Sequence, residues 1–308
     1  MNRPVLSICI PTYNRAGYLT ECLANIVSQF DDKDIYGRIE VIISDNNSDD
    51  NTTEAVKACQ EKYANISYSK NSSNLGYDRN VEKAIYLAQG DFIWTLSDDE
   101  FVRAGSLEFI LNILSNYADA AWICIDNGDG QIGDVKVYQN GNDWLKGAGL
   151  AGGQLSQNIY NRKFLPASLE KYFGNLWIHY SLAREIAVDR KQLLVKNIFK
   201  PLESDHPCSW AGGGRVLTTF IKLKNIIGGL PSLGYDKKIV KKIIGSIARG
   251  LPRQISSAKI NGLKINIDNY KLIIKNFIPY PGVLALATIV YLVPCKFLLC
   301  IKKLCLKK

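Results

Sequence analysis

Over the first 125 residues the chain alternates between two periods of apolar and polar positions. Residues 5–10 are a short apolar run, broken by Ser7 alone and ended by Pro11, which reads as a strand. Leu19, Cys22, Leu23, Ile26 and Val27 then recur at three- and four-residue spacing, as on a helix with one buried face. The exchange repeats. Strand cores fall at 41–43, 66–68, 92–96 and 121–125, with helical patterns through Tyr63, at Val81, Ala84, Ile85 and Ala88, and from about Ser106. Such βαβ units predict an α/β fold with a mostly parallel sheet covered on both faces. Ligands of these sheets bind at the carboxyl ends of the strands, where the polar loops of this sequence lie.

From 126 to 215 the pattern breaks into turn-rich segments, among them Gly152-Gly153. Beyond 221 it becomes helical and basic, with 17 Lys+Arg against Asp236 and Asp268. Ile239, Val240, Ile243, Ile244 and Ile247 form a stripe ringed by Lys237, Lys238, Lys241, Lys242 and Arg249. Residues 276–295 carry no charge, but Pro279, Pro281 and Pro294 argue against one straight spanning helix. The organisation expected is one domain over 1–220, with halves meeting near 125, and a membrane-associating region over 221–308. A helix lying in the bilayer interface, held by lysines, is favoured over a spanning one.

Charge sharpens this division. Residues 1–130 hold 10 Lys+Arg and 20 Asp+Glu, whereas 131–308 hold 28 and 9. An acidic half suits a metal, and a basic half suits phosphates, an anionic membrane or nucleic acid. The eight cysteines include no C-x-x-C, so neither a disulfide framework nor a zinc site is expected. The start Met1-Asn2-Arg3-Pro4 leads straight into the first strand and reads as no signal peptide. Pro11-Thr12-Tyr13-Asn14-Arg15 follows that strand in place of G-x-G-x-x-G, which disfavours a dinucleotide dehydrogenase. There is no P-loop, no H-E-x-x-H and no G-x-S-x-G.

Three consecutive acids, Asp98, Asp99 and Glu100, follow the apolar 92–96 segment. In an extended segment Asp98 and Glu100 would project together, and such a pair suits Mg²⁺ or Mn²⁺ bridging to a diphosphate. The other reading is a cluster favouring the start of the next helix. Acid-bearing loops at Asp45 and Asp78 follow neighbouring strands and weigh toward the metal.

Four ordered stretches carry a resemblance: Ser7 through Arg15, Glu40 through Asp50, Asn74-Leu75-Gly76 with Asn80, and Gly90 through Glu100. Together they resemble glycosyltransferase family 2, and within it bacterial O-antigen and capsule transferases of the abequosyltransferase type. The resemblance implies a GT-A fold and an inverting transfer of a sugar from a nucleotide donor. Pro11, Thr12, Tyr13 and Asn14 would line the nucleotide pocket with Asn74 and Gly76, and Asp45 would bond the base or ribose. Arg79 would face the phosphates. Asp98, Asp99 and Glu100 fall on the metal-binding D-x-D position, although Leu96 stands where many relatives have a further Asp.

Inversion requires one base, which the family supplies from an acid ahead of a helix. Here that place holds Asn175 through Tyr180, and His179 inherits the role by position, with a structural histidine as the other reading. Glu203 and Asp205 are the other candidates for the base, and His206 for a further metal ligand, in what could equally be a plain loop. The expected partners are a nucleotide sugar, a glycan or lipid-linked glycan acceptor and an anionic membrane, without nucleic acid. The expected location is the cytoplasmic face of a bacterial inner membrane, peripheral or monotopic. Two rival readings are a nucleotidyltransferase of sugar-nucleotide metabolism and an inactive membrane-attached nucleotide-sugar-binding protein.

Overall fold

The computed structural model describes residues 3–30, 33–126, 133–196, 198–200 and 215–298. It divides into two compact units, Met1–Leu202 and Glu203–Lys308. The first is built on an eight-stranded sheet: β1 (Leu6–Thr12), β2 (Ile39–Asp45), β3 (Ile66–Lys70), β4 (Phe92–Thr95), β5 (Trp122–Asp126), β6 (Val135–Tyr138), β7 (Asn158–Asn161) and β8 (Gln192–Lys196). Their order is β3-β2-β1-β4-β7-β5-β8-β6. Only β6 and β7 run against the others, so the sheet is mostly parallel, as expected.

Around it lie α1 (Ala16–Val27), α2 (Lys33–Arg38), α3 (Thr52–Gln60), α4 (Tyr77–Leu87), α5 (Ser106–Asn116), α6 (Gly141–Gly147) and α7 (Ile178–Ile186). The strand period sorts side chains between two faces. Leu6, Ile8 and Ile10 join a core with Leu23 and Ile26 of α1, Val56 of α3 and Leu111 of α5. Cys9, Ile42 and Ile93 fall at the intervening positions and are also buried. α4 packs against β1, β2 and β4. Each such side chain contributes about 1.5–3 kcal/mol by leaving water, which is why both faces are covered.

β1 does not stop at Pro11; it continues to Thr12, paired with Asp45 of β2. Proline is tolerated because Pro11 shares the parity of Cys9, whose carbonyl accepts from Leu96 on the β4 side. The β1–β4 ladder ends at Cys9–Thr95, so the missing N–H forfeits no ladder bond.

The sequence pattern held no sign of β7, which enters between β4 and β5. All four of its residues are buried, two of them asparagines. Asn158 Nδ2 donates to the Gly152, Gln154 and Leu155 carbonyls, and its Oδ1 accepts from Trp122 Nε1 at 3.0 Å. Gly152 adopts φ +94, and a Cβ there would meet the Trp122 ring at 2.5 Å.

The second unit contains α8 (Arg215–Gly229), α9 (Lys237–Arg249), α10 (Leu251–Ile260), α11 (Ile267–Phe277) and α12 (Pro281–Leu292). Leu217, Leu251, Ile255, Ile273, Phe277 and Tyr291 are among its buried residues. Asp236 caps α9 by accepting from the Lys238 and Ile239 amides at 2.7 and 3.0 Å. The apolar stripe of α9 is turned inward: Val240 and Ile247 are buried, with Ile239, Ile243 and Ile244 half-buried. Burial of the stripe against the unit's own helices leaves less open apolar surface on α9 than the sequence pattern suggests. The open apolar row lies on α12, where Leu286, Ile289 and Leu292 are 53, 59 and 65% exposed. Among the described residues no helix is long and apolar enough to cross a membrane.

Candidate active site

The expected site residues of the first unit gather where β1, β2 and β4 end. Past β1 the chain turns through Asn14, whose φ of 52° lies in the left-handed region that asparagine tolerates. Asn14 N donates to Ser48 Oγ at 2.8 Å, and Asp49 N donates back to Asn14 Oδ1 at 3.0 Å. The loops after β1 and β2 are thereby joined side by side. Asp45, fully buried at the end of β2, braces them. Its Oδ1 accepts from the Ser48 amide and hydroxyl at 2.9 and 2.5 Å, and its Oδ2 from Tyr68 Oη at 2.6 Å. The carboxylate expected to bond the base or ribose thus also braces its own loop through Oδ1 and ties it to β3 through Oδ2.

A net of asparagines ties in the third loop. Asn46 Nδ2 donates to Asn74 Oδ1 at 2.8 Å, and Asn46 Oδ1 accepts from Leu75 N at 2.8 Å and Asn71 Nδ2 at 3.1 Å. Asn80 Nδ2 donates to the Ser44 carbonyl at 3.0 Å. Gly76, at φ +81, starts α4, and the exposed Arg79 stacks over the Phe173 ring at 4.9 Å. Above this floor Tyr13 is 43% exposed.

The acids after β4 lie on a turn rather than a strand, so strict alternation fails. Asp98 and Asp99, not Asp98 and Glu100, share a partner, Arg15. Its Nε donates to Asp98 Oδ1 at 2.8 Å and its Nη2 to Asp99 Oδ2 at 2.5 Å. Thr12 Oγ1 donates to Asp98 Oδ2 at 2.7 Å, and Ser97 Oγ to Asp99 Oδ1 at 2.6 Å. Burial raises the Asp98 carboxyl above its ordinary range, while Arg15 and Thr12 draw it back. Burial, with the charge of Asp99 beside it, pushes Glu100 up to about 7. Arg15 stood inside the motif without an assigned role, and its pairing joins residues more than eighty positions apart.

The donor set fits a hard divalent cation: carboxylate oxygens on one turn, with Asp99 the accessible member, its side chain 36% exposed. Among the described residues no three His, Cys, Asp or Glu side chains form a ready-made cage.

His179 opens α7 and is buried, 4% exposed. Its Nε2 lies 3.0 Å from the Gly153 carbonyl, which assigns that nitrogen the proton, and its Nδ1 lies 3.5 Å from Tyr77 Oη. Tyr160 Oη donates to the His179 carbonyl at 3.0 Å. Burial lowers the ring's pKa to about 4. The imidazole is therefore neutral at ordinary pH and lies between the Gly153 carbonyl and Tyr77 Oη. Glu203, Asp205 and His206 lie outside the described residues.

The model of the family described as "Glycosyl transferase family 2" matches residues 7–174. The chain is 36% identical over 143 residues to abequosyltransferase RfbV of Salmonella typhimurium, covering 46% of this chain and 41% of that protein. It is 30% identical over 131 residues to a GalNAc(5)-diNAcBac-PP-undecaprenol beta-1,3-glucosyltransferase of Campylobacter jejuni, covering 42% and 41%. Each match spans less than half of the relative's length. In fold it is similar to residues 1–349 of S. aureus TarS, with a TM-score of 0.59 at 16% identity over 91% of this chain and 82% of that one. A mannosyltransferase from Pyrobaculum calidifontis, solved with GDP-Man and Mn²⁺, gives 0.57 at 15% identity over 94% and 86%. The sheet is thus the expected GT-A fold, and the chain belongs to glycosyl transferase family 2.

Proposed function

We propose that this chain transfers a sugar, with inversion, from a nucleoside-diphosphate donor to a hydroxyl of a lipid-linked glycan in the assembly of a bacterial surface polysaccharide. The observation that carries the reading is the convergence of Thr12, Arg15, Asp98 and Asp99 at the carboxyl ends of β1 and β4. The joined loops of Asn14 and Asp45 would receive the nucleotide, with Tyr13 as an exposed wall. Asn74 and Gly76 would bound the pocket, and Arg79 would approach the phosphates. Asp99 and Glu100 would hold Mg²⁺ or Mn²⁺, which when bound offsets charge on the leaving diphosphate. The abequosyl- and undecaprenol-linked glucosyltransferases among the relatives support the substrate class.

The proton of the attacking hydroxyl must pass to a base. His179 is poorly placed for it, since its ring is covered and one nitrogen is committed to Gly153. Glu203 and Asp205 therefore stand beside His179 as candidates for the base, with His206 a candidate further ligand of the metal. His179 also fixes Gly153 and Tyr77 at the wall of the acceptor side. Membrane attachment would use the open row of α12, with lysines toward anionic headgroups, and would bring the chain to a lipid-linked acceptor at the cytoplasmic face.

The test is thermal unfolding with UDP, GDP, CDP, dTDP and their sugars, with and without Mn²⁺. A ligand at 100 times its dissociation constant stabilises by about 2.7 kcal/mol. Asp99→Asn should lose the Mn²⁺-dependent part of that shift and all transfer. A chain that binds none of these nucleotides, or an Asp99→Asn variant that transfers normally in chelator, overturns the reading.

A further inference from the structure

Arg15 joins the two carboxylates at the end of β4, and the two differ in how far they open to solvent. Asp98 is 5% exposed in its side chain and has Thr12 on its second oxygen, so it is held whether or not a cation arrives. Asp99 is the more open of the two, with Ser97 Oγ donating to its Oδ1 and the Arg15 guanidinium on its Oδ2 at 2.5 Å. The guanidinium is itself placed, with its carbon 4.3 Å from the centre of the Tyr18 ring and its side chain only 22% exposed. A divalent cation entering from solvent thus meets Asp99 with a positive charge already on one of its oxygens.

We propose that Arg15 is a positioning residue that makes divalent-cation binding at Asp99 conditional on a nucleotide diphosphate. The inference rests on the reading of Asp99 as a holder of the metal. Two positive charges brought within several ångströms of a guanidinium repel it even under water-like screening, by an amount equal to about a tenfold loss of affinity. A diphosphate removes that penalty in two ways. Its negative charge offsets the repulsion, and its oxygens offer the planar fork of Arg15 a partner in place of Asp99. Cation and nucleotide then favour each other reciprocally, and metal without donor is kept off the site.

The experiment uses the full chain and reads bound Mn²⁺ by electron paramagnetic resonance. It is run alone and with whichever of UDP, GDP, CDP or dTDP gives the largest thermal shift. The wild-type chain should bind Mn²⁺ weakly alone and at least about tenfold more tightly with nucleotide. Arg15→Gln should bind bare Mn²⁺ about tenfold more tightly than wild type and lose most of the nucleotide enhancement. Arg15→Lys, which keeps the charge without the fork, should fall between them and carries the test if Arg15→Gln does not fold. Equal bare-Mn²⁺ affinity in wild type and Arg15→Gln, with the enhancement intact, overturns the gate and leaves the metal reading standing. No Mn²⁺ bound by the wild-type chain even with nucleotide removes the metal reading and the gate together.

Discussion

Tyr68 Oη donates a 2.6 Å hydrogen bond to Asp45 Oδ2, crossing from β3 to the end of β2. Burial and the neighbouring carboxylate push the Tyr68 hydroxyl up to about 12, so it remains a donor at ordinary pH. Tyr68→Phe leaves that oxygen of a fully buried carboxylate without its partner. The cost should be about 1–2 kcal/mol of stability, read by urea unfolding. Slackening of the 45–50 loop should also weaken nucleotide binding by about fivefold, read by calorimetry. Unchanged nucleotide affinity would mean that the loop holds its shape without this bond.

His179 has a folded pKa of about 4 against an ordinary 6.5. The unfolded chain therefore binds the extra proton first as pH falls. The stability of the neutral buried ring is full above about 6.5, declines through the window down to about 4, and is worth about 3 kcal/mol in all. His179→Gln should flatten the stability–pH curve across that window. The same shift removes any activity inflection near 6.5 due to this ring; such an inflection, lost in His179→Gln, would restore His179 as the base.

Lys259 is buried beneath the end of α12, where its Nζ donates to the Val290 carbonyl at 3.1 Å, to that of Tyr291 at 2.7 Å, and to that of Val293. A cation at a helix C-terminus satisfies carbonyls that the helix cannot. Lys259→Met keeps the length but removes the donors, and should cost about 1–3 kcal/mol in the denaturant midpoint. A loss below about 0.5 kcal/mol would show that water satisfies those carbonyls without the ammonium.

For membrane attachment, Leu286→Glu with Ile289→Glu should abolish sedimentation with anionic vesicles while leaving the circular-dichroism spectrum unchanged. Both side chains are more than half exposed, so neither substitution disturbs the core. Changing Lys237, Lys238, Lys241 and Lys242 to Gln should only weaken binding and reduce its salt dependence. If the lysine variant detaches and the glutamate variant does not, the α12 row is not the contact.

The parts of the fold that were legible in the sequence are those with local causes. β1 to β5 and α1, α3, α4 and α5 each announce themselves by period and by a turn at their end. β7 does not, because Asn158 and Asn161 are satisfied by carbonyls and an indole that only the folded chain brings near. The acids at 98–100 were visible as a cluster, yet their pairing depends on Arg15, which spacing cannot relate to them. Position alone placed His179 ahead of a helix; the burial that lowers its pKa comes from tertiary packing. For α9 the sequence shows an apolar stripe ringed by lysines, but amphipathicity does not reveal which neighbour takes the apolar side.

β7 lies between β4 and β5, although β5 comes first along the chain. The apparent midpoint near residue 125 is therefore a seam in the sequence but not in the sheet. A hybrid spliced there between two relatives would place both flanks of β7 against strands it did not evolve beside: Phe92–Asn161 through Thr95–Asn158 on one side, Trp122–Tyr160 through Cys124–Asn158 on the other. Exchange of recognition segments in this architecture has to carry the 158–161 ladder with its neighbours, or be confined to the loops that project beyond it.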